Sequence, residues 1–218
     1  MIDPKILEFL TSLRENNNRD WFNEHKKEYK EAKAAFDEFV NRLIPGLREF
    51  DSSIDMITAK DCTFRIYRDI RFSKDKSPYK TNMGAYIARG GRKSQFAGYY
   101  LHVEPGQSFL AGGMYMPPPD TLKKIRQEIY ENIDEFKEII NKGSFVKTFG
   151  NFMSHDKLKN PPKGFDKDWP DIDLLKYKSY AVMHNVDDEM LFSPGFLEYS
   201  LNVYRELYPL NRFFNDII

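Results

Sequence analysis

The chain has 218 residues, of which 41% are hydrophobic and 30% charged, as expected of a globular protein with one sizeable core. Its 33 basic and 33 acidic side chains balance, which argues against general nucleic-acid binding, because that affinity comes from many phosphate contacts. One cysteine, Cys62, excludes an internal disulfide and disfavours a cysteine-rich zinc site. We see no apolar run of membrane-spanning length and no signal-peptide pattern, so we expect a cytoplasmic protein.

The N-terminal part of the chain is predicted to be helical. Asp3 can cap a first helix that starts at Pro4, and its apolar face is formed by Ile6, Leu7, Leu10 and Leu13. Asn18 can cap a second, long helix with an apolar stripe from Phe22 to Leu47. Pro45 is expected to kink or end it.

From Thr63 onward the apolar period changes from three or four residues to two. This alternation predicts a strand over 64–72. The further predicted strands lie at roughly 83–89, 96–103, 108–115 and 179–186. Gly90-Gly91 and Pro105-Gly106 mark turns between the first three of these. Such short connections indicate an antiparallel meander.

The C-terminal half is predicted to return to helices. Asp120 is expected to cap a helix that breaks near Asn132, and Ser193-Pro194 to begin the last one. The stretch 150–172 has a loop composition. We therefore predict one α+β domain over residues 1–218, with an antiparallel β-meander packed against a long N-terminal helix and C-terminal helices.

The segment from Lys60 to Lys93 concentrates positive charge. It has ten basic and three acidic side chains, a net charge of +7 in a neutral protein. If 64–72 is a strand, Arg65, Asp69 and Arg71 lie on one face, and Arg68 lies on the apolar face, where it needs a partner, a bulge or a ligand. A planar guanidinium suits bidentate binding of carboxylate or phosphate.

This pattern predicts a site for a small anion. Three arginines would hold it, Asp69 would orient them, and the following turn would close over it; the candidate residues are Arg65, Arg68, Asp69, Arg71, Lys76, Tyr79 and Lys80. The turn has none of the glycines of a Walker loop. In the alternative interpretation the segment is a solvated, salt-bridged strand whose lysines protect a sheet edge.

His102 is the candidate catalytic residue elsewhere in the chain. It shares a strand face with Tyr100 and would act as a general acid or base if its strand paired beside 64–72; a structural histidine is the alternative. Cys62 is a weaker candidate, as a nucleophile beside basic residues. Gly112-Gly113 indicates a bulge or a close backbone approach. His25, His155 and His184 show no ligand spacing, and we predict neither a metal nor a cofactor.

Several motifs together carry a resemblance over nearly the whole chain. They are Asn16-Asn17 with Asp20-Trp21-Phe22, Phe64-Arg65-Ile66, the run from Arg68 to Lys80 (RDIRFSKDKSPYK), Gly98-Tyr99-Tyr100-Leu101-His102, Gly112-Gly113 and Pro162-Lys163-Gly164-Phe165-Asp166. The sequence resembles an uncharacterised family of bacterial and fungal proteins known as a domain of unknown function. The resemblance implies membership, and it brings no activity with it.

Three functions fit these observations. The first is binding of, or action on, a small phosphate- or carboxylate-bearing ligand. The second is a protein-interaction module that uses a basic sheet edge. The third, and the least favoured, is weak nucleic-acid binding with Tyr67 and Tyr79 stacked on bases. The sequence defines neither a reaction nor an oligomeric state, and it favours no membrane partner.

Overall fold

The N-terminal helices begin where the capping residues predict. The computed structural model describes residues 1–154 and 157–218; His155 and Asp156, within the predicted 150–172 loop, lie outside the described part. Asp3 accepts a hydrogen bond from the Lys5 amide, and Asn18 accepts one from the Trp21 amide. The helices are α1 (Pro4–Glu15), α2 (Arg19–Glu24) and α3 (Lys26–Arg48).

The predicted long second helix is two helices, and Pro45 does not end the second of them. The helical stretch is divided at His25, where the backbone leaves helical geometry between α2 and α3. Pro45 lies inside α3, which continues to Arg48. The apolar stripe itself is buried as predicted, from Phe22 through Phe36 to Leu47.

A four-stranded antiparallel sheet forms the centre of the described structure. Its strands are β1 (Met83–Ile87), β2 (Gly98–Val103), β3 (Ser108–Met114) and β4 (Tyr180–Val186), in the spatial order β1-β2-β3-β4. The predicted meander is therefore confirmed. The strand predicted over 64–72 is absent from the described sheet.

In place of that strand, residues 63–80 form an extended hairpin with only isolated pairing. Single bridges join Thr63 to Ala85 and Tyr67 to Tyr79. Beyond Tyr67 the chain no longer pairs as a strand, because side-chain hydrogen bonds within the turn replace the backbone hydrogen bonds of a strand pair. The alternating apolar residues of this segment do not share one buried face: Ile66 is 3% exposed, whereas Phe72 is 95% exposed.

The remaining helices are α4 (Ala59–Cys62), α5 (Pro119–Glu131), α6 (Ile133–Ile140), α7 (Gly143–Phe149), α8 (Asp188–Leu191) and α9 (Phe196–Asn215). The predicted break at Asn132 is confirmed. Asp120 does not cap α5; it lies in the first turn, since Pro118 occupies the cap position. Within the described residues, we find no helix that combines the length and the apolar character needed to cross a membrane.

The two faces of the sheet have different surroundings, and one of them packs on helices. Leu101, Leu110 and Val182 are fully buried, and on the helix side α9 packs on β3 and α3 on β1. Gly112 permits this packing, because a Cβ there would lie 2.3 Å from Leu207 Cδ2 on α9. The fold is α+β, with helices on one side of an antiparallel sheet. The opposite face, which includes Tyr86, Tyr100 and His102, borders a cavity.

Candidate functional site

Part of the basic segment lines a polar cavity of about 420 Å³ beside the end of β2. This polar cavity is bordered by Arg14, Asn17, Arg68, Asp75, Ser77, Tyr79, Lys80, Thr81, Asn82 and Glu104. Three of these residues are cations and two are carboxylates. The chemistry of its wall is therefore that of an ion-binding site with a small excess of positive charge.

Arg68 is half-buried on the wall of the polar cavity and is held there by the turn that follows it. Its guanidinium forms a salt bridge with Asp75 and donates to the Ser77 carbonyl at 3.2 Å and to the Ser73 hydroxyl at 3.3 Å. The bonds from Ser77 and the pairing with Arg68 lower the pKa of the Asp75 carboxyl to about 2. Asp75 is thus the protein partner that Arg68 requires if it lies on an apolar face.

Lys80 and Arg14 are the cations of the polar cavity that have no salt bridge among the described residues, and Arg14 donates to the Pro105 carbonyl at 3.3 Å. The Lys80 ammonium lies 5.5 Å from the centroid of the Phe64 ring, and among the described residues no carboxylate approaches it within salt-bridge distance. Burial and the nearby Arg65 charge lower the pKa of Lys80. An anion close to this ammonium would offset both effects.

Other members of the predicted anion site lie away from the polar cavity. Asp69 bonds to one guanidinium: its two oxygens accept from Arg71 Nε at 2.9 Å and from Arg71 Nη2 at 2.7 Å. That pair is at the surface, with the Arg71 side chain 75% exposed. Lys76 donates to the Ile70 carbonyl, and Arg65 is exposed. The three arginines therefore do not converge on one ligand position.

Tyr79 has a structural position. Its ring stacks on Phe22 with centroids 3.9 Å apart, and the residue is 5% exposed. Asn17 bonds to its backbone at both the amide and the carbonyl. This ring is not free to stack on a base or a ligand, whereas Tyr67 remains 46% exposed.

A second, larger cavity of about 630 Å³ lies over the free face of the sheet. Strand pairing places Tyr86, Tyr100 and Ala111 in one row of this face and His102 and Phe109 in the next. The segments 92–96 and 114–118 also border the cavity. We call it the open-face cavity, and its wall is mainly aromatic and apolar.

His102 lies between the two cavities. Its Nε2 is 3.0 Å from Glu104 Oε2, and its Nδ1 is 3.1 Å from the Tyr100 hydroxyl. The imidazole stacks on Phe109, with centroids 4.3 Å apart and planes 11° apart. The imidazole borders the open-face cavity, whereas Glu104 borders the polar one. The condition set for His102 as a general acid or base, that its strand pairs beside 64–72, is not met, because β2 pairs with β1 and β3.

The surroundings of His102 set its protonation. Burial lowers the pKa of His102, and Glu104 acts in the opposite direction. Burial, with the Glu104 charge, raises the pKa of Tyr100 to about 12, so its phenol is protonated near neutral pH. The simplest hydrogen assignment has Nε2–H donating to Glu104 and the Tyr100 hydroxyl donating to Nδ1.

The weaker candidates have packing positions. Cys62 is fully buried, and burial raises the pKa of its thiol to about 12, which disfavours a thiolate nucleophile. The close approach predicted at Gly112 is made to α9. Gly113 has a φ of 91°, and its amide donates to Asn211 Oδ1.

Sequence reasoning missed seven residues of the polar cavity: Arg14, Asn17, Asp75, Ser77, Thr81, Asn82 and Glu104. Glu104 had a usable signal, since it continues the alternation Tyr100, His102 on the same strand face. Thr81 and Asn82 directly follow Lys80. Arg14 had no local signal, because only the fold brings α1 beside the turn.

One family model matches almost the whole chain. A family model described as "Conserved hypothetical protein (DUF2461)" matches residues 5–213. The chain belongs to this family. The resemblance to an uncharacterised domain of unknown function is thereby confirmed. The DUF2461 match includes both cavities and the turn from Arg68 to Lys80. No curated protein and no solved structure gives a significant match.

Proposed function

We propose that the protein binds a small phosphate- or carboxylate-bearing molecule in the polar cavity. The observation that supports this most is the meeting of Arg14 from α1 with Arg68 and Lys80 from the 63–80 hairpin on one concave wall. Side-chain amides of Asn17 and Asn82 add neutral donors beside them. Guanidinium, ammonium and amide donors around a concave volume are the groups that recognise such anions.

The carboxylates of the wall reduce this positive potential without cancelling it. Asp75 is occupied by Arg68 and by two bonds from Ser77, and Glu104 by Thr81 and His102. Lys80 has no such partner among the described residues. The proposed ligand anion therefore binds first to Lys80 and takes a second contact from Arg68, whose 3.3 Å bond to the Ser73 hydroxyl is long and easily replaced.

A thermal-shift titration with phosphate, sulfate and citrate tests this proposal. We expect a concentration-dependent rise in Tm for the wild type, because a ligand that binds only the folded state stabilises it. Arg68→Met should reduce the rise, and Arg71→Met is the matched control, since Arg71 pairs with Asp69 outside the polar cavity. No rise, or equal loss in both variants, would contradict the proposal.

A second candidate function is supported by the tip of the turn. Phe72 is 95% exposed, with the Arg71 guanidinium 5.9 Å from its ring centroid, and Lys74 and Lys76 are exposed beside it. A protruding aromatic ring among cations suits an acidic partner protein. Co-purification from native cells tests it: a stoichiometric partner lost in Phe72→Ser and in a Lys74→Glu/Lys76→Glu variant supports it, and retention by both variants contradicts it.

A further inference from the structure

The open-face cavity has the size and lining of a small-molecule site separate from the polar cavity. Its volume of about 630 Å³ falls within the range of roughly 300 to 1,000 Å³ that ligand pockets occupy. Small side chains form part of its floor, at Ala111 and Ala181, so the space above the sheet is left open. Aromatic rings of Tyr86, Phe96 and Phe109 border it. Such a wall favours a flat, apolar molecule.

A short chain of ionisable groups begins at the wall of this mainly apolar space. The Tyr100 hydroxyl, the His102 imidazole and the Glu104 carboxylate are joined by contacts of 3.1 Å and 3.0 Å. Thr81 fixes the far end by donating to Glu104 Oε1 at 2.6 Å. A nucleophile or proton carrier next to a base, with the base oriented by a carboxylate, is the arrangement that activates a bound hydroxyl.

The backbone of β1 makes room for the first member of this chain. Gly84 lies across from His102, and a Cβ at position 84 would be 2.6 Å from the Tyr100 hydroxyl oxygen. The absence of a side chain at 84 thus allows the phenol to reach Nδ1. Because the hydroxyl hydrogen points to Nδ1, the lone pairs of the Tyr100 oxygen remain able to accept a hydrogen bond from a ligand.

We propose that the open-face cavity binds a small, flat, ring-bearing molecule with a hydroxyl group, and that Tyr100 takes the proton of that hydroxyl. As the ligand O–H bond breaks, its proton passes to Tyr100 Oη and the Tyr100 proton passes to His102 Nδ1. The products are a ligand oxyanion and an imidazolium next to the Glu104 carboxylate. Tyr100 is the catalytic residue in this proposal, and His102 and Glu104 act through it.

The charged groups around His102 determine how this transfer depends on pH. Glu104, on the same strand, stabilises the imidazolium, and the Lys80 charge disfavours it. Tyr115, beyond β3, acts on Tyr100 and raises its pKa. Arg92 also borders the open-face cavity. An anion bound at Lys80 is not needed for the transfer, so this proposal goes beyond anion binding in the polar cavity.

A chromogenic phenol tests the proposal directly. We would titrate 4-nitrophenol into the full-length protein, measure its dissociation constant, and record its phenolate absorbance against pH. Bound to the wild type, its ionisation should move at least about one unit to lower pH, the size of shift that a neighbouring charge or hydrogen bond produces. Tyr100→Phe, which keeps the ring, should bind about tenfold more weakly, the effect of one lost hydrogen bond, and should abolish the shift.

Two further variants locate the probe and separate the two cavities. Ala111→Leu fills the floor of the open-face cavity, so it should abolish binding of 4-nitrophenol and leave phosphate-induced stabilisation unchanged. Lys80→Met should reduce phosphate-induced stabilisation and leave the affinity for neutral 4-nitrophenol unchanged. Absence of probe binding by the wild type, an ionisation shift that persists in Tyr100→Phe, or full binding by Ala111→Leu would overturn the proposal.

Discussion

The side-chain amide of Asn17 bonds to both backbone groups of Tyr79. Its Oδ1 accepts from the Tyr79 amide at 3.1 Å, and its Nδ2 donates to the Tyr79 carbonyl at 3.0 Å. Phe22 stacks on the ring of the same tyrosine. The connection between α1 and α2 is thus fastened to the end of the basic turn, which places Lys80 on the wall of the polar cavity.

Replacing Asn17 by Ala should destabilise the fold by about 2 kcal/mol, since two partly buried backbone groups lose their partner. Asn16→Ala is the matched control. Asn16 is exposed and bonds only locally, to the Ser12 carbonyl, so its loss should cost less than about 1 kcal/mol. Urea unfolding measures both free energies, and equal costs would show that the contact with Tyr79 contributes nothing specific.

The Asp75→Asn variant should reveal an acid-dependent contribution of the turn. The Asp75 pKa is lowered from 3.8 to about 2 in the folded protein. The ionised form is therefore favoured by folding, and its stabilising contribution is present above pH 3.8 and lost as pH falls toward 2. Urea unfolding at several pH values should show a gap between wild type and Asp75→Asn that is constant near neutrality and closes between these values. A gap that does not change with pH contradicts the assigned bonds.

The pairing of Glu104 with His102 can be measured at the imidazole. Glu104 raises the pKa of His102 against the effect of burial. Glu104→Gln should consequently lower that pKa further, as followed by NMR titration of the ring protons. Thr81→Val removes a bond to Glu104 but keeps its charge, so its effect should be clearly smaller. An unchanged or higher pKa in Glu104→Gln would argue against the pair.

Gly112→Ala should destabilise the contact between the sheet and α9. The added Cβ would lie 2.3 Å from both the Gly98 carbonyl oxygen and Leu207 Cδ2, and backbone on one side cannot give way cheaply. We expect a loss of about 2 to 3 kcal/mol. Gly143→Ala is the control, because no atom lies within 4 Å of a Cβ there. Similar unfolding free energies for the two variants would contradict this packing.

The architecture was largely predictable because its signals are local. Asp3 and Asn18 cap helices where the sequence places caps, and the turns at Gly90-Gly91 and Pro105-Gly106 separate the strands of the meander. The strand over 64–72 failed for a physical reason. Alternation predicts a buried face, but Arg68 closes a turn with Asp75, so extended pairing ends at Tyr67.

The candidate site was only partly predictable, because tertiary contacts build it. The sequence proposed Arg68, Lys80 and His102 as candidates, but it grouped Arg68 with two arginines that lie apart from the polar cavity. Asn17 is 62 residues from Tyr79 in the chain, and no local pattern indicates that contact. The positive charge of the segment from Lys60 to Lys93 is evident from the sequence, whereas the fold determines which of its cations share a cavity.

The most direct measurement of the central claim is a calorimetric titration with inorganic phosphate at constant ionic strength. It compares the wild type with Lys80→Met and with Lys74→Met, a control that removes an exposed charge from the same turn. If the polar cavity binds the anion, Lys80→Met weakens the affinity about tenfold, as expected for one lost charge-assisted bond, and Lys74→Met leaves it nearly unchanged. Equal affinities for all three proteins, or equal losses in both variants, would contradict the account.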